Sequence, residues 1–472
     1  MLSTMRRSPA KALRGAIDDF AAASPPRFAI SVFALLVLLF TALFSLPISS
    51  ANGAVTPLAD SLFSAVSVIC VTGLSTVDMA THWSGFGHVL ILIGVEIGGI
   101  GVLTLASILG LIISRRLGLR SRLRAASDSN PLRTKKGPVA EGQAVRLGEI
   151  GGLLATVAIS TLVIETAVAV LLFPRLLIQG VPLADSLWQS FYFATMAFTN
   201  TGFVPTASGL TPYSHDVWFL GLIMVGVVLG SIGFPVIYAV IRNPRRPRRW
   251  PLHVKLTLVT SAILLITGAI AFFVLEFSNP HSLGELDPAQ RTLQSVFYST
   301  MTRSGGFSTV DVSQLNGSTL LVTDMLMFIG GGSASTAGGI KVTTLAVLFL
   351  AAFAEARGNE EMGAFDRRIP GDVLRIGVSV VLWGATIVAM SSIVILQLTG
   401  APLDFVLFDV ISAFGTSGLS TGLTAELPDA GVYVLASTMF FGRVGTVTLA
   451  AALAASSRRQ LFRRAEERPI VG

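Results

Sequence analysis

Four times along the chain an apolar stretch runs into a small or polar pair, then glycine, then leucine or phenylalanine. The copies are Val71-Thr72-Gly73-Leu74, Asn200-Thr201-Gly202-Phe203, Ser304-Gly305-Gly306-Phe307 and Thr416-Ser417-Gly418-Leu419. Their glycines lie 129, 104 and 112 residues apart. Glycine adopts backbone angles that other residues avoid, and a ring of backbone carbonyls beside glycines can replace the hydration shell of a cation. One copy would carry no information, because Gly-Leu and Gly-Phe are common in apolar chains. Four copies in equivalent surroundings make four versions of one unit, and the chemistry they offer is stripping a cation of water and conducting it.

Such a ring needs apolar elements to hold it. The 472 residues are 52% hydrophobic and only 13% charged, against about 25% charged in soluble domains, which points to a multi-span membrane protein. Residues 28–47 carry no charge, 85–114 only Glu96, and 217–241 none; about 20 helical residues cross a bilayer core. The first apolar segment follows 27 residues that include Asp18 and Asp19. It exceeds the roughly 7–15 residues of a signal peptide's apolar core, so it reads as a retained span. The single cysteine, Cys70, excludes an intramolecular disulfide and a multi-cysteine metal site, and reads as a small buried apolar residue.

The net charge of +7 is placed for a membrane rather than for nucleic acid. Of 34 Lys and Arg, 29 fall in the five segments 1–27, 115–148, 242–255, 355–375 and 456–472. Clustering of bases between apolar blocks is the positive-inside pattern. It predicts a multi-pass protein of the plasma membrane with both termini in the cytoplasm, whose basic runs, such as Arg245-Arg246-Pro247-Arg248-Arg249, meet anionic lipid. The chain then divides into a cytoplasmic segment 1–26, four repeats at 27–114, 149–241, 255–354 and 372–455, and a cytoplasmic tail 456–472. Each repeat has two outer spans: 27–48 and 85–114, 149–178 and 216–241, 255–277 and 318–354, 372–399 and 429–455. Between them lie the short stretches 58–71, 184–199, 287–303 and 403–415. At about 1.5 Å per residue these reach roughly 20–25 Å, less than the core thickness of about 30 Å, so they enter and return. The expected fold class is an all-α membrane protein of four M1-P-M2 repeats, with eight transmembrane helices and four re-entrant pore helices around one pore.

The repeats share text. Pro57-Leu58-Ala59-Asp60-Ser61-Leu62 and Pro182-Leu183-Ala184-Asp185-Ser186-Leu187 are identical, and Pro402-Leu403-Asp404 echoes them; proline and an early acid suit a helix start. Asp60, Asp78, Asp185, Asp216, Asp311, Asp404, Glu426 and Asp429 all fall on the outward side. They either concentrate cations there or are ordinary solvated loop charges. Beyond the glycines, three repeats continue Ser75-Thr76, Ser308-Thr309 and Ser420-Thr421, and two go on to Val77-Asp78 and Val310-Asp311; the second departs as Val204-Pro205-Thr206.

With these motifs the chain resembles the pore-forming subunit of the Ktr/Trk/HKT superfamily of potassium transporters over about 27–455, and its eight-span layout is closer to the KtrB-like branch. The resemblance implies a filter shaped by Gly73, Gly202, Gly306 and Gly418, with Val71, Thr72, Asn200, Thr201, Ser304, Gly305, Thr416 and Ser417 beside them. Potassium ions in that filter would be the only metal, with no covalent cofactor and sodium left open. A serine in the first glycine position is associated in that family with sodium preference, and here the residue is Gly73.

Two further features lie inside apolar spans. Gly330, Gly331, Gly332, Ser333, Ser335, Thr336, Gly338 and Gly339 put five glycines and three hydroxyls into eleven residues before Lys341. Each interior glycine costs a helix about 1 kcal/mol relative to alanine, so this segment is not a stable helix. The P-loop spacing fails, since Lys341 follows Ile340 and precedes Val342. Small residues also allow close helix packing; the resemblance favours an intramembrane gating loop. Arg443 is a charge within the last span, where charges are expensive and usually functional. The resemblance puts it on the pore below the filter as a barrier to cations, the alternative being a structural bond to carbonyls or a carboxylate. Glu96 and Glu165 also sit within spans, and residue types alone do not say whether they pair with a base or hold a cation.

The functional expectation is potassium uptake down the electrochemical gradient, with sodium dependence open; the alternative is a sodium- or proton-coupled secondary transporter built on broken helices. A membrane enzyme fits poorly. His82, His88, His215, His253 and His281 are scattered, and no His-Glu-x-x-His or Gly-x-Ser-x-Gly occurs. The loop 115–148 is too short and basic to fold a nucleotide-binding domain, so the resemblance leaves room for a separate cytoplasmic nucleotide-binding ring as partner. The apolar ending Ile470-Val471-Gly472 and the prevalence of twofold assemblies predict a homodimer in the lipid bilayer.

Overall fold

A computed structural model describes residues 25–101, 147–359, 361–446 and 448–449. The expected cytoplasmic tail 456–472, nearly all of the N-terminal segment 1–26 and of the loop 115–148, and the far ends of the spans 85–114 and 429–455 lie outside the described residues. What is described is mostly helical. Short helices sit at the four expected places: Leu58–Ile69, Leu183–Thr199, Pro288–Met301 and Leu403–Gly415. Pro57, Pro182 and Pro402 precede three of them, and Asp287 caps the other, accepting from the Gln290 backbone N–H at 2.7 Å.

Other helices flank them. Pro25–Phe44 packs on Leu58–Ile69, Leu147–Ile178 on Leu183–Thr199, and Leu252–Leu275 on Pro288–Met301; Gly317–Phe328 and Gly371–Thr399 both pack on Leu403–Gly415. Among the described residues, Ala155–Ile178, Leu252–Leu275 and Gly371–Thr399 are each long and apolar enough to cross a membrane. The short helices are buried, with Phe63, Phe193, Phe297 and Phe408 at the centre. The outer helices instead expose Leu35, Leu38, Val163, Ile266, Ile270, Leu382 and Ile393. Apolar side chains facing outward on every long helix suit lipid and not water.

Two expected spans are not continuous. The stretch 216–241 is Val217–Ile232 followed by Phe234–Arg242, bent by 99°. Glycines 221, 226 and 230 stay helical, but Gly233 takes φ +88°, and Pro235 explains why. Proline has no N–H for the carbonyl four residues back, here that of Ser231, and Gly332 N–H bonds that carbonyl instead at 2.7 Å. The stretch 318–354 is Gly317–Phe328 and Val342–Ala356, with the glycine-rich segment non-helical between them. The broken helix is thus completed by the segment that breaks the next span.

A Cβ on Gly233 would lie 2.6 Å from the Ala334 carbonyl oxygen. Gly233→Ala is expected to destabilise the fold by about 1–3 kcal/mol, read as a lower unfolding temperature in detergent. Gly221→Ala, where a Cβ meets nothing within 4 Å, should unfold at or slightly above the wild-type temperature.

Candidate functional site

Each short helix ends in one backbone device. Val71, Asn200, Ser304 and Thr416 are left-handed at φ 56°, 62°, 84° and 48°; two residues on, Gly73, Gly202, Gly306 and Gly418 are left-handed at 94°, 79°, 73° and 87°. In three repeats the closing bonds are those of a Schellman ending. Thr72 N–H reaches Ser67 O, Thr201 N–H reaches Met196 O and Ser417 N–H reaches Ser412 O, at 2.8–2.9 Å. The third repeat departs, with Gly305 N–H on Met301 O at 2.8 Å. A left-handed Val71 or Thr416 is unfavourable by about 1–2 kcal/mol, so the surroundings must enforce it.

They do so by convergence. A Cβ on Gly73 would lie 1.7 Å from Thr201 O; on Gly202, 2.7 Å from Gly305 O; on Gly306, 3.0 Å from Ser417 O; on Gly418, 2.5 Å from Thr72 O. Each glycine therefore faces the middle carbonyl of the next unit, and the fourth faces the first; a Cβ on Gly306 would also lie 2.8 Å from the middle carbonyl of the preceding unit, Thr201 O. Eight of the residues singled out, Thr72, Gly73, Thr201, Gly202, Gly305, Gly306, Ser417 and Gly418, meet here, and Val71, Asn200, Ser304 and Thr416 are the left-handed residues that lead into them. Hydroxyls tie the units together. Ser304 Oγ donates to Thr416 O at 2.6 Å and Ser417 Oγ to Thr302 O at 3.4 Å, while Ser67 Oγ donates to Leu74 O at 2.6 Å and accepts from Gly73 N–H at 3.2 Å. Leu74, Phe203, Phe307 and Leu419 are buried and brace the ring from behind.

The recurring Ser-Thr after the ring has a structural partner that sequence reading missed. Thr76 donates to Asp60 at 2.7 Å, Thr309 to Gln294, and Thr421 to Asp409 at 3.1 Å. Asp409 also accepts from Ser420 Oγ, Thr421 N–H, and Thr424 N–H and Oγ1. The available signal was a polar side chain inside a short apolar helix in each repeat that carries the Ser-Thr pair. Repeat two, with Val204-Pro205, lacks the pair. Two of the acids expected on the outward side are engaged and are not free charges: Asp60 holds Thr76, and Asp216 binds Arg175 at 2.5 Å while capping Val217–Ile232.

The glycine-rich segment lies against the C-terminal ends of the short helices. Ile329 and Ile340 form a β-bridge that closes it. Thr336 Oγ1 donates to Phe198 O at 3.1 Å, and a Cβ on Gly338 would lie 2.3 Å from Thr416 Oγ1. Gly330, Gly331, Gly332, Thr336, Gly338 and Gly339 are buried. Ser335 Oγ binds Gly332 O at 2.6 Å, and Ser333 meets Thr343 at 3.0 Å. Lys341 Nζ turns back onto Ala337 O at 2.5 Å and Gly338 O at 3.3 Å. Arg443, 2% exposed in the π-helical turn Phe441–Gly445, donates from Nη1 to Thr336 O. Arg303, which lies outside the five basic segments, is also buried here; it donates to Ser261 O at 2.8 Å and Gly330 O at 3.3 Å, linking the residue before Ser304 to the start of the segment.

Residues 16–460 match the TrkH family model, described as a cation transport protein. The chain belongs to this family. Its relatives include Ktr system potassium uptake protein D of Bacillus subtilis, 34% identical over 96% of this chain and 98% of the relative. Potassium/sodium uptake protein NtpJ of Enterococcus hirae is 30% identical over 92% and 94% of the two chains. The solved structure of the potassium transporter TrkH from Vibrio parahaemolyticus shares the fold, with a TM-score of 0.67 at 16% identity over 89% of this chain and 84% of that one. Family and lipid-facing helices together make the chain an integral membrane cation transport protein.

Removing the carboxylate that gathers five donors behind the fourth unit is expected to matter most for the fold. Asp409→Ala should destabilise the protein by about 3–4 kcal/mol, whereas Asp60→Ala, which loses one hydroxyl partner, should cost about 1 kcal/mol. Thermal unfolding in detergent measures both, and equal midpoints for the two variants would contradict the assigned hydrogen bonding.

Proposed function

We propose that the chain takes up potassium by conducting it through the four-unit ring, as the selectivity filter of one pore lined by four M1-P-M2 repeats. The observation that carries this is the cyclic relation of each glycine to the middle carbonyl of the next unit. Thr72, Thr201, Gly305 and Ser417 supply backbone oxygens around a common centre, and the C-terminal ends of the four short helices bring the negative ends of their dipoles to it. Kinship to a potassium uptake protein and to a potassium/sodium uptake protein supports potassium as the ion and leaves sodium as a second cation.

The segment 329–341 and Arg443 act as the gate. A cation that has passed the ring meets the buried segment and then a fixed positive charge, and both must shift for flow. The basic segments face the cytoplasm, the protein resides in the plasma membrane, and two copies form a dimer. The gate's trigger comes from a separate cytoplasmic nucleotide-binding subunit, a proposal that rests on the kinship to Ktr proteins.

Potassium-limited growth and rubidium uptake in a transport-deficient cell, with and without such a subunit, test the function; a membrane-inserted chain that restores neither would overturn it. Gly73→Ser should lower discrimination of potassium against sodium, by a route wider than one added hydroxyl: the new Cβ must displace Thr201 O and so distort the second unit as well. Unchanged sodium competition against rubidium would remove Gly73 from the filter. Arg443→Ala removes the fixed positive charge and the bond to Thr336, and should raise flux roughly three- to tenfold; flux no higher than wild type in an assembled variant would refute the gate.

A further inference from the structure

The four left-handed residues that lead into the ring differ in what their side chains do. Val71 is apolar, Ser304 Oγ donates to Thr416 O inside the ring, and Thr416 Oγ1 is buried with no hydrogen-bond partner. Asn200 is fully buried and has partners on every side. Two carbonyls, Ala197 O and Val227 O, stand 2.9 and 3.0 Å from one terminal atom of its amide. Two donors, Thr336 Oγ1 and Ser231 N–H, each stand 3.2 Å from the other. An amide has two hydrogens on nitrogen and two lone pairs on oxygen. The first atom is therefore Nδ2 and the second Oδ1, and the whole bonding capacity of the side chain is used.

These partners belong to three elements. Ala197 is in the last turn of Leu183–Thr199, and the bond to it holds Asn200 at φ 62° and ψ 44°; asparagine enters this conformation more readily than most residues because its side chain can bond locally. Val227 and Ser231 are one turn apart at the end of Val217–Ile232, just before the bend at Gly233. Thr336 lies inside the glycine-rich segment. Its single hydroxyl hydrogen is shared between Asn200 Oδ1 and Phe198 O, the latter 3.1 Å away. Its N–H donates to Gly230 O at 3.2 Å and its carbonyl accepts from Arg443. The three elements meet closely, since a Cβ on Gly230 would lie 1.9 Å from Phe198 O and 2.8 Å from Thr336 Oγ1.

The second unit is also the one without an outer brace. Asp60, Gln294 and Asp409 hold Thr76, Thr309 and Thr421 beyond the other three glycines. Val204-Pro205 stands in that place in repeat two, and among the described residues no such bond occurs there. The second unit is instead fastened from the side of the glycine-rich segment. Thr201 follows Asn200 directly, so the position of its carbonyl depends on how Asn200 is held. That carbonyl is also the one a Cβ on Gly73 would meet at 1.7 Å, so a small turn of Asn200 is felt by two units.

We propose that Asn200 is a positioning residue for ion discrimination, placing the Thr201 carbonyl according to the hydrogen bond its amide receives from Thr336, a residue outside the ring. With that bond made, the amide is saturated and the second unit is held at the spacing the ring needs. Without it, Oδ1 loses a donor, the side chain is free to turn, and the carbonyl that follows is less sharply placed. The role in discrimination rests on the potassium reading; the tie between Asn200 and Thr336 does not.

Sodium competition against rubidium uptake in a transport-deficient cell, paired with thermal unfolding of the purified full-length protein in detergent, tests the proposal. Thr336→Val keeps the shape and removes the hydroxyl; it should lower discrimination of rubidium against sodium about three- to tenfold. Thr336→Ser, which returns the hydroxyl, should restore most of that loss. Asn200→Gly accepts the left-handed backbone without strain but lacks the amide, and should lower discrimination by a similar factor. The double variant N200G/T336V should then be no worse than Asn200→Gly alone. A merely structural role would lower the amount of assembled protein and the uptake rate without this pattern in the ion ratio. Unchanged discrimination in assembled Thr336→Val, or factors that multiply in the double variant, overturns the proposal, and the two Thr336 variants decide it if Asn200→Gly fails to assemble. The unfolding midpoints test the tie apart from transport: the double variant should lose less than the sum of the two single losses, and additive losses overturn it. Wild type that takes up no rubidium, with non-additive midpoints, would contradict the potassium reading and its role in discrimination and leave the tie standing.

Discussion

The structure depends on one steric relation, repeated four times: a glycine α-carbon pressed against the backbone carbonyl of the next repeat. Any side chain at Gly73, Gly202 or Gly418 would overlap main-chain atoms, at 1.7–2.5 Å. Backbone cannot give way as a side-chain tip can. The same closeness dictates the left-handed residue two positions earlier, since the chain must leave its helix sharply enough to bring the following carbonyl into the ring. Two of those residues are β-branched, Val71 and Thr416, the types least suited to that conformation. Such strain persists only where the surroundings over-determine it. Here the helix-end bonds, the hydroxyl ties between units and the braces from Asp60, Gln294 and Asp409 supply that determination, and the outer helices hold these parts at fixed spacing.

The second organising feature is an exchange of hydrogen bonds between repeats two and three. Pro235 leaves the Ser231 carbonyl without its helical donor, and Gly332 provides one; Thr336 N–H reaches Gly230 O in the same way, at 3.2 Å. Neither break stands alone, so a movement of the glycine-rich segment must also unmake the bend at Gly233. The tie from Arg303 fastens the start of the segment at Gly330 within its own repeat, and that from Arg443 fastens its middle at Thr336 to the fourth. A segment held by several individually modest bonds, with glycines at each crossing, suits a part that shifts between two arrangements.

Much of this was legible in the residues, and the reason is periodic. Four copies of a small-residue pair before Gly-Leu or Gly-Phe mark the helix ends, and proline or an early acid marks the starts, so the short helices lie within a few residues of where composition puts them. The failure of 330–340 to be helical follows from its glycine content alone. The bend at Gly233 does not. Gly221, Gly226 and Gly230 in the same stretch remain helical, and the deciding factor is a donor contributed from about a hundred residues later in the chain. The braces were hidden for a related reason: Gln294 and Asp409 become meaningful only when Thr309 and Thr421 fold back beside them. Asp216 looked like one of several outward charges until Arg175 was seen against it. Side chains whose partner is distant in sequence carry no local signature.

In the proposed pore the four middle carbonyls bind the transported ion together. Crystals of the protein grown in rubidium, with anomalous scattering recorded at the rubidium edge, locate the ion without reference to transport rates. The expected result is one or more peaks on the axis of the ring, bounded by the carbonyls of Thr72, Thr201, Gly305 and Ser417, and lost when sodium replaces rubidium. An ordered ring with no peak inside it, and rubidium bound only elsewhere, would contradict the account.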